Sequence, residues 1–188
     1  MQIYFAMLVL IGFERAAELV VSQRNAARSL DSGGQESGRG HFPPMVALHT
    51  ALLAGCWIEP IALHRSFLPA LAWPMLVLVV AANALRWWCI ASLGPRWSAR
   101  VIVVPGLPLV SSGPYRWFKH PNYAAVIVEG AALPLAGSAW ITACTFTVLN
   151  AALLTVRLRC ETRALAAASG PPAVRRAAGL LSRGGCPS

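Results

Sequence analysis

The sequence predicts an all-α, polytopic integral membrane protein with about five transmembrane helices, the last two forming a C-terminal helical hairpin. Three observations carry this expectation. Apolar residues make up 56% of the 188-residue chain and charged residues only 12%, against about 25% charged in an ordinary soluble domain. The apolar residues fall into long stretches. The arginines gather at the ends of those stretches, as membrane topology requires. The net charge of +9 would suit nucleic acid if basic residues were interleaved with exposed aromatics. No such run exists, so a lipid bilayer and not nucleic acid is the expected partner.

Taken in order, residues 2–22 form the first apolar stretch. It lacks a basic leader and a cleavage site, so it is expected to be a retained helix rather than a signal peptide. Residues 23–41 form a polar loop with Gly33, Gly34, Gly38 and Gly40. The second stretch is 42–63 and the third is 67–92. Residues 93–121 mix Gly, Pro, Arg and aromatics. The fourth stretch is 122–136, with Pro121 at its start, and is closed by Pro134, Gly137 and Ser138. The fifth is 139–168. Residues 169–188, rich in Gly, Pro and Arg, are expected to be a flexible tail. One domain, 1–168, is therefore expected, with three helices in 1–92 and a second half in 93–168.

A span needs about 20 apolar residues at 1.5 Å each. The first three stretches qualify. The fourth is shorter and is expected to be a tilted arm of the hairpin. The fifth is longer than a membrane requires, so its end should project into water. Arg24, Arg28 and Arg39 follow the first helix. Arg96, Arg100, Arg116 and Lys119 follow the third. Arg157, Arg159, Arg163, Arg175, Arg176 and Arg183 end or follow the fifth, and the opposite side has only Arg65. Five helices place the three basic segments on one face, which the positive-inside rule makes cytoplasmic. The N-terminus is then outside and the C-terminus inside. No internal repeat supports an inverted-repeat transporter.

The five cysteines, Cys56, Cys89, Cys144, Cys160 and Cys186, share no CxxC spacing, and three lie in apolar runs. Neither a disulfide framework nor a metal site is expected. Glu14, Arg15 and Glu18 sit inside the first helix. A charge at mid-membrane costs a few kcal/mol, so these should face the bundle. Arg15 and Glu18 are spaced to pair, as a structural lock or as part of a site. Asn83, Arg86, Glu129 and Asn150 are further polar positions in apolar helices, suited to joining helices. Glu129 is also a candidate for the site.

Two short stretches carry more chemistry. In Ser111–Tyr123, Gly113-Pro114 forces a turn and Pro121 starts a helix, where no amide hydrogen is needed. His120 therefore stands at a helix N-terminus, an environment that favours anionic groups. The same Tyr, Trp and Lys residues would also serve as an interfacial belt. The second stretch is Arg157-Leu158-Arg159-Cys160-Glu161. Arg157 and Glu161 share a helix face one turn apart, where the last helix leaves the membrane. A surface ion pair is the plain alternative there, although Arg preceding Glu is the weaker orientation.

Together, Ser112-Gly113-Pro114-Tyr115, Lys119-His120-Pro121-Asn122-Tyr123 and the run 157–165 resemble the isoprenylcysteine carboxyl methyltransferase family. The likeness covers residues 93–165. Glu14-Arg15-Ala16-Ala17-Glu18 and the glycine loop leading to His41 and His49 are similar to a bacterial subgroup that O-methylates alkylpyrones and alkylresorcinols. The resemblance implies S-adenosylmethionine as cofactor and a catalytic half in 93–168. It implies a cofactor pocket of Leu107, Pro108, Leu109, Val110, Tyr115, His120, Pro121, Asn122, Tyr123 and Glu161. Arg157 would bind the acceptor, and Arg157, Glu161 and His120 would be the catalytic residues. Lys119 stands where the family has Arg, and Thr162 where many members carry a second Glu. The tail lacks the aromatic and acidic residues that close the site in some members.

The implied reaction moves a methyl group to a carboxylate or to a phenolic or enolic oxygen of a lipophilic acceptor. A carboxylate needs no base. For a phenol, His120 or Glu129 is the candidate base. Two other readings fit an apolar helical chain. One is a membrane reductase of related architecture using NADPH, and the other is a non-enzymatic scaffold or small transporter.

Overall fold

The computed structural model of the chain describes residues 1–105, 107 and 110–169. Five helices dominate: α1 (Gln2–Asp31), α2 (Phe42–Ala62), α3 (Pro69–Leu93), α4 (Pro121–Ala136) and α5 (Trp140–Ser169). The expected α4–α5 hairpin is present, turning through Gly137 and Ser138. The fold is a helical membrane bundle, and its lipid-facing surface is plain. Phe13, Val77 and Val148 are 71%, 66% and 69% exposed, which water would not tolerate over a whole molecule. The helices in Arg39–Ala62, Pro69–Arg96 and Trp140–Leu165 are long and apolar enough to cross a membrane. The other two differ for physical reasons. Charges interrupt α1, and α4 has 16 residues, about 24 Å at 1.5 Å per residue.

The inward face of α1 is a single stripe. Tyr4, Leu8, Ile11, Glu18, Ser22 and Asn25 are buried, and Arg15 falls in the gap between Ile11 and Glu18. Steps of three and four residues keep one helix face toward its neighbours. Arg15 and Glu18 therefore point inward with the apolar anchors of α1, Glu14 is half-buried, and Arg24, Arg28 and Asp31 are exposed at the far end of the helix. The stripe on α3 (Ala72, Leu76, Val79, Ala82, Arg86, Cys89) and that on α4 (Ala125, Glu129, Ala132, Ala136) follow the same rule. Tyr4, Leu8, Ile11, Leu52, Cys56, Leu76, Val79, Leu133 and Phe146 form the core of the apolar half. At that end Ser138 Oγ donates to the Ser66 carbonyl at 2.9 Å.

The central helix α4 packs mainly on α3 and α5. Gly130 lets α4 approach Phe146 of α5 closely. A β-carbon there would lie 2.1 Å from Cε1 of Phe146, and Phe146 is only 3% exposed. Gly130→Ala is expected to cost about 1–3 kcal/mol through overpacking. Thermal unfolding in detergent micelles checks this, and an unchanged midpoint would contradict it.

Two segments differ from the expected loops. Helix α1 continues nine residues past Ser22, to Asp31. The added turns are fastened from outside: Asn25 Nδ2 donates to the Trp97 carbonyl at 2.9 Å, and the Ala99 amide donates to Ser22 Oγ at 2.9 Å. Beyond it, β1 (Gln35–Ser37) pairs antiparallel with β2 (Val101–Val103), Glu36 opposite Ile102. Glu36 is held by Arg39 at 2.7 Å and Arg100 at 3.6 Å. This small sheet joins the 23–41 and 93–121 segments at one end of the bundle. Helix α5 meets both strands, so the three basic segments share that end. Among the described cysteines, Cys56, Cys89 and Cys144 are free. Residues 170–188, expected to be a flexible tail, lie outside the described residues.

Candidate functional site

The connection before α4 divides its residues between two surroundings. Gly113, at φ +61°, turns the chain against Ser92, where a β-carbon would lie 2.0 Å from Oγ. A short 3₁₀ turn, Gly113–Arg116, follows. Trp117 and Phe118 are 64% and 65% exposed, which suits an interfacial belt. His120 and Tyr123, one turn later, face inward. The exposed Trp117 and Phe118 suit the belt, while His120 and Tyr123 turn away from it into the bundle.

At the α4 N-terminus, the His120 ring stacks on the Tyr123 ring, 5.4 Å between centroids and 9° between planes. The Tyr123 hydroxyl donates to Glu161 and accepts from Arg157 Nε, the latter at 3.1 Å. His120 Nδ1 lies 3.9 Å from the other Glu161 oxygen. The Arg157 guanidinium also lies over the Tyr123 ring, 5.5 Å from its centroid, and its Nη1 meets Met45 Sδ of α2. The two sequence stretches therefore fold against one another. In place of a direct surface ion pair, Arg157 and Glu161 are bridged by the Tyr123 hydroxyl.

Behind this bridge is a cavity of about 130 Å³, walled by side chains of all five helices and of the connection after α3. Arg157, Tyr123 and Asn122 line it, with Leu53, Val126, Leu153 and Leu154 as apolar wall. Asn122 Oδ1 is buried there without a hydrogen-bond partner. Arg15, Glu18 and Arg86 line it too. They belong to one ion network: Arg15–Glu18 at 2.9 Å, Arg15–Glu129 at 3.8 Å, Arg86–Glu18 at 3.7 Å and Arg86–Glu129 in contact. Arg15 also donates to Asn83 Oδ1 at 2.8 Å. Two arginines and two carboxylates cancel in charge, which is how such groups survive away from water.

The other expected residues stand apart from the cavity. Tyr115 hydrogen-bonds Cys89 of α3, and burial pushes its phenol well above the usual range, so it stays neutral. Leu107 is 49% exposed and Val110 half-buried. Pro121 is buried at the start of α4. Pro108 and Leu109 lie outside the described residues. Sequence reasoning did not place Met45 or Arg86 at the cavity. The stripe periodicity of α3 carried the signal for Arg86. No metal-binding group of His, Cys, Asp and Glu is present among the described residues.

Comparison with known proteins agrees with the resemblance. The sequence model of the isoprenylcysteine carboxyl methyltransferase (ICMT) family matches residues 75–167. The chain is 34% identical over 163 residues to "Uncharacterized protein YpbQ" of Bacillus subtilis (strain 168), a match covering 86% of this chain and 96% of that relative.

Proposed function

The chain belongs to the isoprenylcysteine carboxyl methyltransferase family of membrane methyltransferases, and from that premise we propose that it transfers a methyl group from S-adenosylmethionine to an oxygen of a lipophilic acceptor. The acceptor oxygen is that of a carboxylate, as in a prenylcysteine, or of a phenol or enol, as in an alkylresorcinol or alkylpyrone. The observation that carries this reading is the Glu161–Tyr123–Arg157 bridge, whose Tyr123 and Arg157 line a largely apolar cavity.

The residues present suit this cofactor. A sulfonium donor with an amino group and a carboxylate needs an anion, aromatic faces and a site for the carboxylate. Glu161 is the anion, the stacked His120 and Tyr123 rings are the faces, and the α4 N-terminus accepts a carboxylate. The bound cofactor supplies an activated methyl group on sulfur. Leu107, Val110, Tyr115, Pro121 and Asn122 would complete its enclosure, together with Pro108 and Leu109. Arg157 holds the acceptor oxygen by charge-assisted hydrogen bonds. Leu53, Val126, Leu153 and Leu154 keep water away, and the bridge aligns the two partners. In this reading residues 93–168 are the catalytic half, all five helices cross the bilayer, and the basic end with the site is cytoplasmic.

Membranes containing the protein, incubated with radiolabelled S-adenosylmethionine, should label a prenylcysteine, an alkylpyrone or an alkylresorcinol, and not a phospholipid amine offered beside them. The solubilised protein should bind S-adenosylhomocysteine and not NADPH. No labelled lipid together with NADPH binding would overturn the proposal in favour of a reductase.

A further inference from the structure

His49 lies one helical turn after Met45 on α2, and its Nδ1 is 2.8 Å from the Met45 carbonyl oxygen. A carbonyl only accepts, so neutral imidazole carries its proton on Nδ1 and its lone pair on Nε2. Phe146 holds the ring edge-on, 5.3 Å between centroids. The ring is thus fixed in tautomer and position in the wall of the cavity that Arg157 and Tyr123 also line.

The charged groups near it come from four other helices: Arg15 and Glu18 of α1, Arg86 of α3, Glu129 of α4 and Arg157 of α5. Neither Glu18 nor Glu129 can take a proton without giving up an ion pair. Among the described residues, no ion pair engages His49. The cavity, about 130 Å³, is close to the ~150 Å³ that admits benzene. It holds a head group of about one ring, and a fatty tail must lie outside it.

We propose that His49 is the general base of the transfer, removing the proton of a hydroxyl on an acceptor head group held in this cavity; the inference rests on the methyltransferase reading above. The acceptor O–H bond breaks and its proton goes to Nε2. The oxygen lone pair forms the new O–CH₃ bond. The S–CH₃ bond breaks with its electron pair remaining on sulfur, giving the thioether. The imidazolium then returns its proton to water. His49 replaces His120 and Glu129 as the base, because His120 stands on the Glu161 side of the Tyr123 bridge and Glu129 is committed to Arg86 and Arg15.

The test uses the full-length protein in detergent, S-adenosylmethionine, a fatty-tailed 4-nitrophenol, and N-acetyl-S-farnesylcysteine as a carboxylate control. His49→Gln should lower nitrophenol methylation by about 10²- to 10⁴-fold at a pH below the probe's own pKa. The deficit should shrink as rising pH ionises the probe in solution. Binding of S-adenosylhomocysteine should stay at the wild-type level. With S-adenosylhomocysteine bound and no turnover, the wild type should show more phenolate absorbance from the bound probe than His49→Gln at the same pH. Imidazole should restore part of the rate to His49→Ala. A His49→Gln rate within about threefold of wild type, or one reduced equally at every pH, would overturn the role of His49. So would a wild type that methylates only the carboxylate, with the methyltransferase reading left standing. A wild type that binds no S-adenosylhomocysteine would overturn that reading, and this inference with it.

Discussion

Replacing Arg157 by alanine is expected to abolish methyl transfer while leaving the helical bundle folded. The guanidinium is half-buried and placed between the Tyr123 hydroxyl and the cavity, outside the ion network that joins α1, α3 and α4. Loss of such a charged donor to a reacting oxygen costs about 10²- to 10³-fold in kcat. Arg157→Lys should recover little, because an ammonium cannot reproduce the planar fork over the Tyr123 ring. Labelled-methyl assays on purified variants, with the unfolding midpoint as control, check this. Full activity in Arg157→Ala would remove the residue from the mechanism.

The largest effect on stability is expected inside the bundle. Glu129→Ala leaves Arg15 and Arg86 sharing the single carboxylate of Glu18, so one buried positive charge is uncompensated. Breaking a buried pair in this way costs about 3–5 kcal/mol. The double replacement Arg86→Met with Glu129→Leu removes one charge of each sign and leaves Arg15–Glu18 intact. It should unfold closer to the wild type than Glu129→Ala does, because buried ion pairs are often replaceable by apolar side chains of similar size. Denaturation in mixed micelles compares the three proteins. A double variant as unstable as the single one would show that the pairing is not what holds these helices.

Much of this arrangement was legible in the sequence, because the governing rules act over a few residues. Apolar stretches at bilayer length gave the helices, Pro121 marked the start of α4, and the resemblance to the methyltransferase family, not the spacing alone, implied that His120, Tyr123, Arg157 and Glu161 share one end. The inward direction of Arg15 and Glu18 followed from the cost of charge in lipid. What stayed hidden depends on partners distant along the chain. The extra turns of α1 are fastened to Trp97 and Ala99, more than 70 residues away. The three residues of β1, Gln-Glu-Ser, carry no strand signature, whereas the β-branched run holding β2, Val101-Ile102-Val103-Val104, was a local signal that the reading of 93–121 as a mixed segment passed over. The Tyr123 bridge was equally out of reach. An Arg and a Glu four apart look like a pair until a hydroxyl from another helix is placed between them.

Calorimetric titration of the detergent-solubilised chain with S-adenosylhomocysteine, wild type beside Glu161→Ala, bears most directly on whether the α4 start and the α5 exit make one cofactor site. One saturable site per chain in the wild type, weakened at least about tenfold when the carboxylate is removed, is the expected outcome, equivalent to about 1.4 kcal/mol. Heat of binding that is the same in both proteins, or absent from both, would contradict it.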